Sequence, residues 1–123
     1  MLRNFLMVGF GGAVGSMARY GVAFIVSRFW NSPFPAGTFL INILGSLIIG
    51  MLFGLASRNS WLQQGGMLLM ATGFCGGFTT FSSFAMENVH LLGNRQSFIA
   101  ITYISLSIII GLLLCRVGIW LTN

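Results

Sequence analysis

Four apolar runs, each close to the ~20 residues that a helix needs to cross the hydrocarbon of a bilayer, take up almost all of this chain. They extend from about Phe5 to Val26, Gly37 to Ala56, Gly66 to Leu92 and Phe98 to Leu121. Short polar breaks separate them: Asn31-Ser32-Pro33-Phe34-Pro35, Arg58-Asn59-Ser60 and Gly93-Asn94-Arg95, each rich in the residues that stop helices. Only 6% of the 123 residues are charged, against about a quarter in an ordinary soluble domain. A water-soluble fold is excluded. The pattern predicts an all-α membrane protein: one domain, residues 1–123, of four transmembrane helices.

The net charge of +5 comes from six arginines, since lysine is absent. They are scattered rather than clustered, so no nucleic-acid partner is expected. Arg19 interrupts the region where a signal peptide would be cleaved, and the apolar stretch before it is too long for one. Cys75 and Cys115 lie within apolar runs and read as small buried hydrophobes, with no metal-ligand spacing around the lone His90. Trp30, Trp61 and Trp120 fall at run ends, as interfacial aromatics do. With four spans, both termini and the middle loop share a side and collect Arg3, Arg58 and Arg116. The other side collects Arg28 and Arg95, with Arg19 nearest it. The positive-inside rule then has almost no bias to act on. This predicts dual topology, with the chain inserting both ways and pairing as an antiparallel homodimer.

Small and polar residues recur every fourth position, and so share helix faces. The first helix has Gly11, Gly15 and Arg19; the second has Thr38, Asn42, Ser46, Gly50 and Gly54; the last has Tyr103, Ser107, Gly111 and Cys115. Gly11, Gly15, Gly50 and Gly54 are expected to let helices pack closely. Packing needs no amide or phenol, so Asn42, Tyr103 and Ser107 are either interhelical hydrogen-bond partners or the lining of a path. The third run carries GFCGGFTTFSSFAMEN, Gly73 to Asn88. Polar or irregular backbone is tolerated at membrane depth only where protein or a water-filled cavity covers it. A break at Gly76-Gly77 would free carbonyls for a cation; a simple kink or a tight crossing point is the plainer alternative. Beyond it, Thr79, Ser83 and Glu87 are expected on one face, with Phe81 and Phe84 on the next. Ring edges are electropositive and attract anions weakly. Glu87, the only acid, belongs near the end of its span. Arg19 is the more deeply embedded charge, and embedded charges are functional candidates.

The motifs GxxxR (Gly15 to Arg19), GTFLINILGS (Gly37 to Ser46) and GFCGGFTTFSSFAMEN resemble the Fluc/CrcB fluoride channels over essentially the whole chain. That resemblance implies a passive, fluoride-selective channel in a bacterial inner membrane, not an enzyme. It implies two pores at an antiparallel dimer interface, with a structural Na⁺ held at the centre by the backbone carbonyls of Gly76 and Thr79. It places Phe81, Phe84 and Asn42 in the pore, with Ser83, Tyr103, Ser107 and Thr38 along its polar track, and Arg19 and Glu87 in the vestibule. Gly111 and Cys115 continue the last helix's face where more hydroxyls would be expected. Three other readings are weaker, one of them a structural packing or accessory protein whose polar stripes are interhelical glue. A proton-coupled multidrug exporter needs a carboxylate in the first helix, which has none. An intramembrane serine hydrolase built on Ser46 and His90 lacks a paired acid.

Overall fold

The computed structural model describes residues 1–123 and is all-helical. Helix α1 spans Leu2–Phe29 and α2 Ala36–Ala56. The third apolar run begins in wide π-type turns, Leu62–Gly66 and Leu68–Cys75, then tightens into α3, Gly76–Phe78. It resumes as α4, Phe81–Gly93, and the chain closes with α5, Ser97–Thr122. Three stretches are long and apolar enough to cross a membrane: Ala36–Ala56, Leu68–Gly93 and Ser97–Thr122. The chain is therefore a multi-pass membrane protein. Helix α1 has the length, but Arg19 and the glycines around it dilute every long window of its sequence.

The turns follow from local chemistry. Pro33 and Pro35 cannot continue α1, and the Trp30 indole N–H closes the loop by donating to the Phe34 carbonyl at 2.7 Å. The Asn59 side chain accepts the Leu62 N–H at 3.0 Å, satisfying one of the free donors at a helix start. Gly65 has φ +134, which residues with a Cβ rarely adopt, and it bends the chain into the third run.

Two helix pairs form the bundle. Helix α2 lies along α5, and α1 lies along the Leu68–Cys75 segment and α3. Lipid tails are as apolar as the side chains, so no hydrophobic force drives helices together, and close backbone approach matters instead. Gly11 faces the Leu69 carbonyl, Gly15 the Phe74 carbonyl, Gly50 the Cys115 carbonyl and Gly54 the Ile119 carbonyl. A Cβ at any of these would overlap backbone, so the packing role expected of the four is observed.

The break in the third run is not at the glycine pair. Gly76 and Gly77 are helical, and the chain becomes extended only at Thr79 (φ −80, ψ 157) and Thr80 (φ −149, ψ 117). Gly77 instead sits against the backbone of Gly12, where no side chain fits. Gly77 is the crossing point with α1, while Gly76 faces the groove. Because the break follows Thr79, this residue is not on a common helix face with Ser83 and Glu87; its hydroxyl turns back onto the Cys75 carbonyl at 2.8 Å.

The outer surface is apolar, with Phe5, Phe10, Ile101 and Leu112 all exposed, as a lipid-facing bundle requires. One buried cluster joins Leu52, Leu62 and Cys75; another joins Leu91, Ala100 and Tyr103.

Candidate functional site: a broken helix beside a polar groove

The break is held from α2. The Asn42 side chain donates to the Thr80 carbonyl at 3.0 Å and accepts the Thr80 N–H at 2.8 Å. Both backbone groups of one residue are thus satisfied by one amide, as buried backbone must be. Thr80 then starts α4 by accepting the Ser83 N–H at 3.2 Å, and its hydroxyl donates to Ser83 Oγ, also at 3.2 Å.

These bonds have a consequence for the carbonyls. In an unbroken helix the Gly76 carbonyl would receive the Thr80 N–H, and the Thr79 carbonyl the Ser83 N–H. Asn42 takes the first of these donors, and the Thr80 hydroxyl takes the second. The Gly76 and Thr79 carbonyls are left outside the helical ladder. They are uncharged oxygen donors, the kind that suits a hard cation. The intervening Gly77 carbonyl is occupied, since Arg19 Nε donates to it at 3.0 Å across 58 residues. Arg19 thereby sets a positive charge at the C-terminal end of α3, where carbonyls concentrate negative potential.

A groove of about 460 Å³ runs beside the break. Asn42, Gly76, Thr79, Phe81, Phe84 and Ser107 all line it. The Phe81 and Phe84 ring centroids are 5.9 Å apart. Phe81 is 80% exposed and makes one wall only, whereas Phe84 rests edge-on against Tyr103 at 5.0 Å. The Ser107 hydroxyl is buried and has no hydrogen-bond partner. A buried hydroxyl without a partner costs free energy, and those found in folded proteins call for an explanation.

Thr38, Tyr103 and Glu87 form a second group, outside the groove lining. Thr38 Oγ1 donates to Glu87 Oε2 at 2.8 Å, and the Tyr103 hydroxyl donates to Glu87 Oε1 at 2.9 Å. Tyr103 is fully buried. Glu87, midway along α4, and Thr38 line a recess of about 260 Å³ near Trp30 and Pro33.

The model for the family described as "CrcB-like protein, Camphor Resistance (CrcB)" matches residues 6–119. The chain belongs to the CrcB family. It is 41% identical over 123 residues to the "Fluoride-specific ion channel FluC" of Azobacteroides pseudotrichonymphae, covering 100% of this chain and 98% of that one. It is 40% identical over 121 residues to "Fluoride-specific ion channel FluC 1" of Listeria innocua, covering 98% of each. Over 116 residues it is 44% identical to the FluC of Methylobacillus flagellatus, covering 92% and 89%.

In this CrcB chain the residues singled out from sequence fall into four places. Asn42, Gly76, Thr79, Phe81, Phe84 and Ser107 share the groove; Thr38, Tyr103 and Glu87 share the carboxylate cluster; and Arg19 caps α3 from outside both. Ser83 sits at the start of α4, tied to Thr80. Thr80 was missed as the centre of the break, although its place between Thr79 and Phe81 as a potential helix cap was a usable signal. Asn88 was also missed. It is 6% exposed and donates to the Phe84 carbonyl at 2.9 Å, while its own side-chain oxygen is unpartnered.

Proposed function

We propose that this CrcB protein is a fluoride-selective channel that lets the cytoplasmic anion leave passively across a bacterial inner membrane. Four spans, α1 included, would insert in both orientations and pair as an antiparallel homodimer with two pores. The observation that carries this reading is the groove, lined by two phenyl rings and by Ser107, whose buried hydroxyl has no partner. The relatives named for fluoride supply the ion.

Dehydration is the main barrier for a small, strongly hydrated anion. Neutral donors replace lost water without trapping the ion, and weak binding at several sites is what rapid conduction needs. Ser107 has a hydroxyl proton to give. Asn42 has a second amide hydrogen beyond the one bonded to Thr80. The edges of Phe81 and Phe84 add weak attraction between the stronger donors. Thr38 and Tyr103 are committed to Glu87 and reach an anion only by turning away from it. Their two donated bonds also temper the carboxylate's repulsion. Export is driven by a negative-inside potential, worth ~2.3 kcal/mol per charge per 100 mV.

The Gly76 and Thr79 carbonyls, released from the ladder, fit a Na⁺ site at the dimer centre. Bound there, the ion would supply positive charge to oxygens that otherwise have no donor. Asn42 keeps the Gly76 oxygen free by holding the Thr80 N–H away, and the Thr80 hydroxyl keeps the Thr79 oxygen free by holding the Ser83 N–H.

Fluoride and chloride release from liposomes containing only this protein tests the function. Fluoride efflux without chloride efflux is expected, and Phe81→Ile or Phe84→Ile is expected to abolish it. Equal release of both anions, or unchanged efflux in both variants, would overturn the reading. A tag on the C-terminus is expected on both sides of the membrane; a single-sided tag would remove dual topology.

A further inference from the structure

A second cavity, of about 600 Å³, opens at the end of the molecule opposite Glu87. Arg3, Asn4, Gln63, Gln64 and Thr72 supply its polar lining, and Ala71 and Thr72 line both this recess and the groove beside the break. The two spaces therefore border each other at Ala71 and Thr72 on the third run. The left-handed Gly65 shapes the recess: Arg3 Nη2 lies 3.5 Å from where its Cβ would be, so the bare backbone lets the guanidinium approach the bend. Arg3 has no carboxylate side chain to neutralise it. The chain's only acid is Glu87, at the other end of the third run, where it already accepts from Thr38 and Tyr103. An uncompensated guanidinium among neutral amides attracts anions and holds them weakly, because amides offer N–H donors without adding charge.

Building on the channel reading above, we infer that the Arg3–Gln63–Gln64 recess is a mouth of the pathway that gathers small inorganic anions and feeds them past Thr72 to the groove. Arg3 is the concentrating charge, and Gln63 and Gln64 are adaptable donors at the rim. The occupant is the free anion in solution rather than a lipid phosphate, because the recess borders the groove at Ala71 and Thr72.

Two measurements test this, and they fail separately. In neutral phosphatidylcholine vesicles, Arg3→Gln is expected to slow fluoride efflux about threefold at ~10 mM ionic strength and to leave it unchanged at ~1 M, as one screened charge predicts. Arg3→Lys should retain the wild-type rate at both. Assembly failure would instead lower efflux equally at both salt levels and would overturn the inference. The second measurement needs no transport. In neutral detergent micelles at ~10 mM ionic strength, Gln64→Cys is expected to react faster with an anionic than with a cationic methanethiosulfonate, with unmodified protein giving the background from Cys75 and Cys115. Adding Arg3→Gln should reduce that preference about threefold. Equal rates with the two reagents overturn the inference, and so does a preference that survives Arg3→Gln; occupation of Arg3 by a bound lipid phosphate gives the first result. Reagent preference without any wild-type fluoride efflux would keep the anion mouth and remove the fluoride reading.

Discussion

Replacing Asn42 by alanine asks how much of the break depends on one side chain. The substitution removes a 3.0 Å and a 2.8 Å hydrogen bond, which are the two bonds satisfying the backbone of Thr80. Leaving a fully buried polar group unmet costs ~1–3 kcal/mol, so for the half-buried Thr80 two would cost at most ~2–6 kcal/mol. Relaxation lowers this, because the Thr80 N–H can return to the Gly76 carbonyl, its helical acceptor. One orphan then remains, the Thr80 carbonyl, at ~1–3 kcal/mol. For a chain of this size that is a fall of roughly 3–15 °C in unfolding midpoint, measurable by thermal unfolding in micelles. Asn42→Asp should be worse than alanine, because a carboxylate still accepts the Thr80 N–H but turns a second acceptor toward the Thr80 carbonyl. The same relaxation would return the Gly76 carbonyl to the helix, so any stabilisation by Na⁺ over an organic cation should shrink in Asn42→Ala. An unchanged midpoint in both variants would refute the claim that Asn42 holds the break.

Other outcomes follow from particular contacts. Gly77→Ala forces a Cβ into the Gly12 backbone and should cost ~1–3 kcal/mol, seen as aggregation or a lowered midpoint. Gly76→Ala meets nothing nearer than the Ala71 carbonyl at 3.9 Å and should fold normally. Ser107→Ala removes a hydroxyl that bonds to nothing in the chain, so stability should hold or rise while fluoride efflux falls; unchanged efflux would take Ser107 out of the path. Tyr103→Phe strips one donor from Glu87 and should slow efflux with the fold intact, measured by a fluoride electrode on vesicles.

The helical class was legible because composition and run length leave lipid-exposed backbone no other way to satisfy its hydrogen bonds. The glycine stripes were legible as packing because a four-residue spacing fixes one face. The position of the break was not. Glycine weakens a helix locally, but Gly76 and Gly77 stay helical, with Gly12 of α1 packed against Gly77. What ends the helix is Asn42, 38 residues away from Thr80, and no local propensity contains a distant competitor for an N–H. The same distance hid Arg19's bond to Gly77. The site residues divided in a way that spacing could not show. Tyr103 and Ser107 are four apart on one helix, yet the first serves Glu87 and the second faces the groove.

The Arg19–Gly77 bond also bears on how the chain is made. Membrane proteins are synthesised from the N-terminus, and an arginine at mid-helix costs ~2.5–3.5 kcal/mol on insertion scales. The carbonyl that compensates Arg19 belongs to a residue 58 positions downstream. When α1 leaves the ribosome its partner does not yet exist, and α1 is not among the segments apolar enough to insert on hydropathy alone. Until the third run is made, Arg19 has to be met by water, by headgroups it reaches by snorkelling, or by another carbonyl. The bond that steadies Arg19 in the finished bundle is one that the nascent helix has to do without.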